Sequence, residues 1–268
     1  METNIIVAGV GGQGILSIAF VLDNAAMKEG FNFKQAEVHG MSQRGGAVQS
    51  HLRFSKEEIF SDLIPEGGAD LILSVEPLES LRYYHYLKPD GVVITSAAPF
   101  VNIPDYPQLE EVYRKISQHK NHILIDSEGL AKLAGSPRAQ NMVMLGAANY
   151  LLPFDRAVCM EFVEQLFRGK GEKAVNINRA AFQYGEQVSS FFRGGLEHGL
   201  SPEQTRRLCF AVDPSLPLET KSLAAWRELF GKHPDLFPSE GWGKRKRIPA
   251  SEAMARELMK KGELPAEE

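Results

Sequence analysis

Gly9-Val10-Gly11-Gly12-Gln13-Gly14 stands between a short apolar run, Asn4-Ile5-Ile6-Val7-Ala8, and a long one from Ile15 to Met27. Strand, glycine turn and helix is the order that gives a glycine fingerprint meaning, and it predicts a first βα unit here. The first glycine permits a tight exit from the strand. The second lets backbone or a ligand approach closely, and the third lets helix pack on strand. Amides at the start of the helix lack intrahelical acceptors and favour an anion in the turn. The spacing Gly9-x-Gly11-x-x-Gly14 fits the dinucleotide pattern, which also wants an acidic residue about twenty positions on to hold a ribose. Glu37 is the candidate, but it comes late and runs straight into a second motif. On the loop alone three readings stand: a site for a nucleotide-like ligand, a tight turn, and a turn serving an interface.

Working outward, residues 15 to 28 are apolar almost all round, as for a helix buried between a sheet and a neighbouring layer or subunit, with Gly30 as its stop. Phe31 to Val38 and Ala47 to Phe54 read as strands. The short glycine-rich link between them makes them antiparallel, so the sheet is expected to be mixed. Ala69 to Val75 is a buried-strand pattern, and Glu76-Pro77 opens a helix with proline in its first turn. Gly91 to Thr95 is the next strand, entered through a Pro89-Asp90-Gly91 turn. After a proline-rich connection from Pro99 to Pro107, a helix over Leu109 to Gln118 leads to a strand over Ile123 to Asp126. Ser127 is then expected to cap a short helix ending near Gly135. Helical patterns over 142–152, 156–167 and 172–192 complete a three-layer α/β/α domain with a mixed, mostly parallel sheet over residues 1–195. Residues 196–268, rich in proline, read as an extended or helical appendage that packs on the domain or on a partner subunit. It carries the basic run Lys244-Arg245-Lys246-Arg247 and an amphipathic helix from Ser251 to Met259.

The composition narrows the function. The chain has 268 residues, 43% hydrophobic and 24% charged, as expected of a soluble globular protein. A net charge of -4 excludes a nucleic-acid binder that works through a strongly basic surface, and the basic run is read as a solvated face. The first residues form neither a signal peptide nor a membrane span, so no membrane partner and a cytoplasmic location are expected. Cys159 and Cys209 stand far apart without a Cys-x-x-Cys, and two thiols cannot build a four-thiolate cluster or a structural zinc site. They are read as small buried hydrophobes.

The densest polar stretch is Glu37 to Gly46, where His39, Ser42, Gln43 and Arg44 crowd among glycines. Arg44 can clamp a phosphate or carboxylate through two parallel N–H bonds, and His39 can move a proton near neutral pH. Equally, this is a structured hairpin in which Glu37 and Arg44 satisfy each other. Gly40-Met41-Ser42-Gln43-Arg44 lacks the closing glycine of a nucleophile elbow, which excludes that hydrolase reading. His119 and His122 have no third ligand nearby. Neither a complete dehydrogenase fingerprint nor a Gly-Asp-Gly opening of a thiamine diphosphate and magnesium site occurs. A ligand-ready turn without catalytic groups points to a subunit that completes a partner's active site.

Gly9 to Ser17 together with Glu37 to Gly46 resembles the gamma-type domain of 2-oxoacid:ferredoxin oxidoreductases. Ala69 to Tyr83, Tyr86 to Gly91, Asn141 to Gly146 and Asn176 to Phe182 look most like the beta subunit of the indolepyruvate-type enzymes, and the resemblance covers about residues 4 to 195. It implies a large partner subunit holding thiamine diphosphate, Mg and [4Fe-4S] clusters. The assembly would oxidise an aryl 2-oxoacid to aryl-acyl-CoA and CO2, with electrons passing to ferredoxin. Coenzyme A, which the resemblance implies is shared between subunits, is carried onto two loops only. These are Gly9, Gly11, Gly12, Gln13 and Gly14, and His39, Ser42, Gln43 and Arg44. No catalytic residue and no metal ligand is expected in this chain. A gamma subunit for pyruvate, 2-oxoglutarate or a branched-chain 2-oxoacid, a free-standing dinucleotide-binding protein or dehydrogenase, and a scaffold subunit without ligand contact whose C-terminal appendage clasps the partner are the rival expectations.

Overall fold

The computed structural model describes residues 2–40, 45–101, 103–239, 242 and 245–266. Two compact units, Met1–Glu186 and Gln187–Glu268, divide the chain, a little before the boundary read from the sequence.

The first unit is built on a six-stranded sheet in the order β2-β3-β1-β4-β5-β6. Its strands are β1 (Glu2–Val10), β2 (Asn32–His39), β3 (Ala47–Ser55), β4 (Ala69–Ser74), β5 (Leu87–Ser96) and β6 (His122–Ile125). β1, β4, β5 and β6 are parallel, whereas β3 runs antiparallel to both β1 and β2, so the expected mixed, mostly parallel sheet is present. The apolar run Ile5 to Val10 follows from this placement: β1 is central and buried on both faces. Helices α1 (Ile15–Lys28), α5 (Gln140–Ala148) and α6 (Arg156–Arg168) pack together on one face, and α2 (Pro77–Arg82) and α3 (Leu109–Ser117) pack together on the other. The short helix α4 (Ser127–Ala134) leads from β6 into α5, and α7 (Glu172–Glu197) is the longest helix.

Some local expectations are corrected. Asp126, not Ser127, caps α4: its carboxylate accepts the Gly129 N–H at 2.9 Å. Ser127 is instead buried in the first turn, with its hydroxyl 2.7 Å from that of Ser96. Pro89-Asp90-Gly91 is not a turn. It lies within β5, where the pairing with β4 slips register between Ala69 and Leu71, because proline and a side-chain-free residue suit an irregular strand entry. α1 also exposes one stripe of its surface: Leu16 is 59% and Met27 62% accessible, with Phe20 between them, while Ile18, Val21, Leu22 and Ala25 face the sheet.

The second unit has more internal structure than its prolines suggest. It holds α8 (Pro202–Ala211), α9 (Leu223–Lys232) and α10 (Glu252–Lys261). Ser201 and Gln204 form a reciprocal capping box on α8. Trp226, Phe230, Phe237 and Trp242 form a contiguous aromatic cluster. Arg247, from the basic run, donates to the carbonyls of Phe210 at 2.7 Å and Val212 at 3.2 Å, so it ties strands of chain together within the unit. Lys244 lies outside the described residues.

α5 and α7 meet backbone to backbone. A Cβ on Gly146 would lie 1.9 Å from the carbonyl oxygen of Phe182, and one on Gly185 1.9 Å from that of Val143. Gly146→Ala should therefore destabilise by about 3 kcal/mol or more, while Gly169→Ala, where a Cβ meets open space, should stay within about 0.5 kcal/mol of wild type; urea midpoints decide.

Asp23 of α1 is half-buried, and its Oδ1 is buried and accepts no hydrogen bond among the described residues. Burial pushes its carboxyl up to about 7. The folded protein thus keeps a proton there that the unfolded chain releases near pH 4. Stability attributable to this group falls as pH rises from about 4 to about 7. Asp23→Asn should flatten that fall and raise stability at pH 8 by at most about 4 kcal/mol. Equal pH slopes in variant and wild type would contradict it.

Candidate functional site

β1 and β4 are parallel and end side by side, which puts the glycine loop at the carboxyl edge of the sheet, where open α/β sheets place their ligands. Gln13 closes that edge. Its Oε1 accepts the Val10 N–H at 2.8 Å and its Nε2 donates to the Val75 carbonyl at 3.4 Å. One amide thereby satisfies the last residue of β1 and the first residue past β4. Gly9 makes room for it, since a Cβ there would lie 2.9 Å from Gln13 Oε1. Gly14 launches α1 from a left-handed backbone conformation, φ 82°, and its carbonyl accepts the Asn141 side-chain amide at 3.2 Å. A Cβ on Gly14 would meet that amide at 2.4 Å. Gly12 also has positive φ and faces open space.

The two sequence motifs come together. Gly11 N–H donates to the Gly46 carbonyl at 2.8 Å, and Gly45 N–H returns to the Gly11 carbonyl at 3.3 Å. This pins the end of the 37–46 stretch against the glycine loop. Ser42, Gln43 and Arg44 lie outside the described residues, and of His39 only the backbone, the last position of β2, is described. Among the described residues, the N–H groups of Gly12, Gly14, Ile15 and Leu16 find no acceptor. The loop can therefore present backbone donors and the positive end of a helix to an anionic or carbonyl group. The Gln13 side chain is spent on the protein itself.

A third element was not singled out in the sequence. Glu76, buried at the same edge, caps α2 by accepting the Glu79 N–H at 2.8 Å. Its other oxygen accepts the Phe100 N–H at 3.3 Å and the Tyr106 hydroxyl. Burial pushes this carboxyl above its ordinary range despite those donors, and burial likewise pushes the Tyr106 hydroxyl up. The proline-rich connection is thus fastened beside the glycine loop. Its sequence signal was Pro77, which marks residue 76 as a cap. Asn141 had no signal except a place in a quoted stretch.

The ribose-binding expectation for Glu37 does not fit. In this sheet β3 separates β2 from β1, with Glu37 opposite Ser50 and Ser50 opposite Val7. Glu37 is two strand spacings, about 10 Å, from β1, whereas a dinucleotide fold pairs its second strand directly with the first. The two histidines also have other occupations: His119 Nε2 lies 2.8 Å from the Gly91 carbonyl and His122 Nδ1 2.6 Å from the His119 carbonyl. Both cysteines are buried, and burial pushes the Cys159 thiol up to about 12 and the Cys209 thiol up as well, the reverse of a metal-ready thiolate. Among the described residues no group of three or more His, Cys, Asp or Glu is placed to hold a metal ion, and no helix is long and apolar enough to cross a membrane.

Residues 4–188 match the sequence profile of the pyruvate ferredoxin/flavodoxin oxidoreductases. The chain belongs to this family. It is 41% identical over 197 residues to the indolepyruvate oxidoreductase subunit IorB of Pyrococcus horikoshii, spanning 70% of this chain and 96% of that relative. A more distant relative, the 2-oxoglutarate synthase subunit KorC of Archaeoglobus fulgidus, is 27% identical over 191 residues, spanning 70% of this chain and 90% of its own. In fold, the chain resembles the gamma subunit of a keto/oxoacid ferredoxin oxidoreductase from Geobacter sulfurreducens, with a TM-score of 0.53 at 22% identity over 71% of this chain and 97% of that one. The oxidoreductase match ends where the second unit begins, at residue 188 against Gln187.

Gln13→Ala removes both strand-end hydrogen bonds and should cost about 1–3 kcal/mol. Gly14→Ala, facing both the positive φ and the Asn141 amide, should cost at least as much. Thermal unfolding of the two variants beside wild type measures this, and a Gln13→Ala protein as stable as wild type would contradict the bridging role.

Proposed function

We propose that this chain is the gamma-type subunit of an indolepyruvate ferredoxin oxidoreductase. In this reading a large subunit carries the chemistry, converting an aryl 2-oxoacid to aryl-acyl-CoA and CO2 while electrons pass to ferredoxin. The observation that carries the proposal is the 41% identity to an indolepyruvate oxidoreductase subunit across 96% of that relative's length. The lower identity to a 2-oxoglutarate synthase subunit, 27%, supports this reading over the 2-oxoglutarate rival.

The chemistry of the donors agrees with such a division of labour. A [4Fe-4S] cluster takes four thiolates, and this chain has two cysteines, both buried. These residues do not fit a cluster, so the proposal assigns clusters, thiamine diphosphate and Mg to the partner. When bound there, thiamine diphosphate supplies the carbanion stabilisation that decarboxylation of a 2-oxoacid needs. This chain contributes shape and polarity. Leu16, Phe20 and Met27 on α1 and Phe33 and Val38 on the edge strand β2 are exposed apolar side chains of the kind a covering subunit removes from water. The backbone donors of Gly12, Gly14 and Ile15, with Arg44, His39, Ser42 and Gln43 of the second sequence motif, are proposed to form one wall of a shared site for the anionic groups of coenzyme A. Gly9, Gly11 and Gln13 position that wall. The complex is proposed to work in the cytoplasm, and residues 196–268 to pack on the partner.

Purification of the tagged chain from its native host should recover a large subunit bearing thiamine diphosphate and clusters, and the complex should turn over indolepyruvate faster than pyruvate or 2-oxoglutarate. Recovery without such a subunit would overturn the proposal, and a different preferred 2-oxoacid would reassign its substrate. In the same complex, Arg44→Ala should raise the KM for coenzyme A and leave thermal stability within about 0.5 kcal/mol. Unchanged turnover and unchanged coenzyme A dependence would remove Arg44 from the site. Deletion of residues 200–268 should reduce co-purification if the second unit holds the partner.

A further inference from the structure

At the edge of the sheet opposite the glycine loop, α2 and α3 leave a cavity of about 610 Å³ between them, a volume in the range of small-molecule sites. Leu78 and Leu81 of α2 give it an apolar side. Tyr84 and His119 form an aromatic wall, their rings edge to face with centroids 5.5 Å apart. That wall is fixed by hydrogen bonds. The Gly91 carbonyl can only accept, so the proton on His119 Nε2, 2.8 Å away, points at it. Nδ1 on the other side of the ring is paired with the Tyr84 hydroxyl, also at 2.8 Å. His119 is buried, whereas Tyr84 is 43% accessible and shows its ring to the cavity.

Among the described residues, the charged side chains that line the cavity are of one sign. Arg82 and Lys115 contribute to the lining, with the Gln118 amide beside them, and among the described residues no carboxylate does, although each cation has an ion-pair partner outside the lining, Glu79 for Arg82 and Glu111 for Lys115. Arg82 spends its Nε on Glu79 at 3.0 Å, which leaves the terminal guanidinium nitrogens for a ligand. Lys115 is 3.8 Å from Glu111, beyond hydrogen-bond range.

We infer that this cavity binds a small organic anion with an aromatic or other flat apolar body, held by Arg82 and Lys115 at its charged end and by Leu78, Leu81 and Tyr84 along its body. The anionic group is a carboxylate or a phosphate ester, both matched by a guanidinium and an ammonium. The site lies on this chain alone and does not depend on the oxidoreductase reading.

Calorimetric titration of the full-length chain with phenylacetate, phenyl phosphate and the uncharged 2-phenylethanol tests it. NMR of the His119 ring in the same titrations reports where the probe sits. At least one anion should bind about tenfold or more tighter than 2-phenylethanol and shift the His119 ring signals. The preferred anion identifies the head group. Arg82→Gln combined with Lys115→Gln should weaken that anion about tenfold or more and leave the weak binding of 2-phenylethanol unchanged, which shows that the cavity is still folded. The inference is overturned if neither anion binds below about 10 mM. It is also overturned if the anions bind no tighter than the alcohol, or if binding leaves the His119 ring unmoved.

Discussion

A single side-chain amide, that of Gln13, holds the strand ends on which the loop rests. Val10 ends β1 and Val75 follows β4; the Gln13 amide accepts from the N–H of the first and donates to the carbonyl of the second. The hydrogen bond from Asn141 to Gly14 then fixes the next residue from the other side of the turn. These contacts join β1, β4, α1 and α5, so the loop is held by elements far apart in sequence. A rigid loop of this kind keeps its backbone donors pointing outward at no further cost in ordering. That suits a wall against which a partner or ligand is placed.

The strand order adds a second constraint. Because β3 is inserted antiparallel between β1 and β2, the second motif returns to the glycine loop, where Gly45 and Gly46 bond Gly11. The same insertion moves Glu37 away from β1 and removes the geometry of a dinucleotide site. One topological feature thus both brings the two motifs together and separates this fold from the dehydrogenases that its glycine spacing imitates.

Much of this was legible in the residues. The buried run of β1, the glycine turn, the antiparallel link and the mixed sheet follow from hydropathy and short-loop geometry. Ser127 and Asp126 have equal capping chemistry in the sequence, and the choice between them rests on which side chain the Ser96 hydroxyl engages. Pro89-Asp90-Gly91 reads as a turn from composition alone, and only pairing with β4 shows an irregular strand. The role of Gln13 needed Val75, sixty-two positions away, and the Glu76 clamp needed Phe100 and Tyr106. Contacts of that range leave no local pattern. The unbroken apolar character of α1 was legible, but which stripe stays uncovered depends on where α5 and α6 sit.

The account depends on the chain being catalytically incomplete by itself. The direct measurement is indolepyruvate- and coenzyme A-dependent reduction of ferredoxin by the purified chain, freed of thiamine diphosphate and metal, before and after addition of the large subunit proposed to carry the clusters. The account predicts no turnover before the addition and full turnover after it. Enzyme-like turnover by the isolated chain would contradict it.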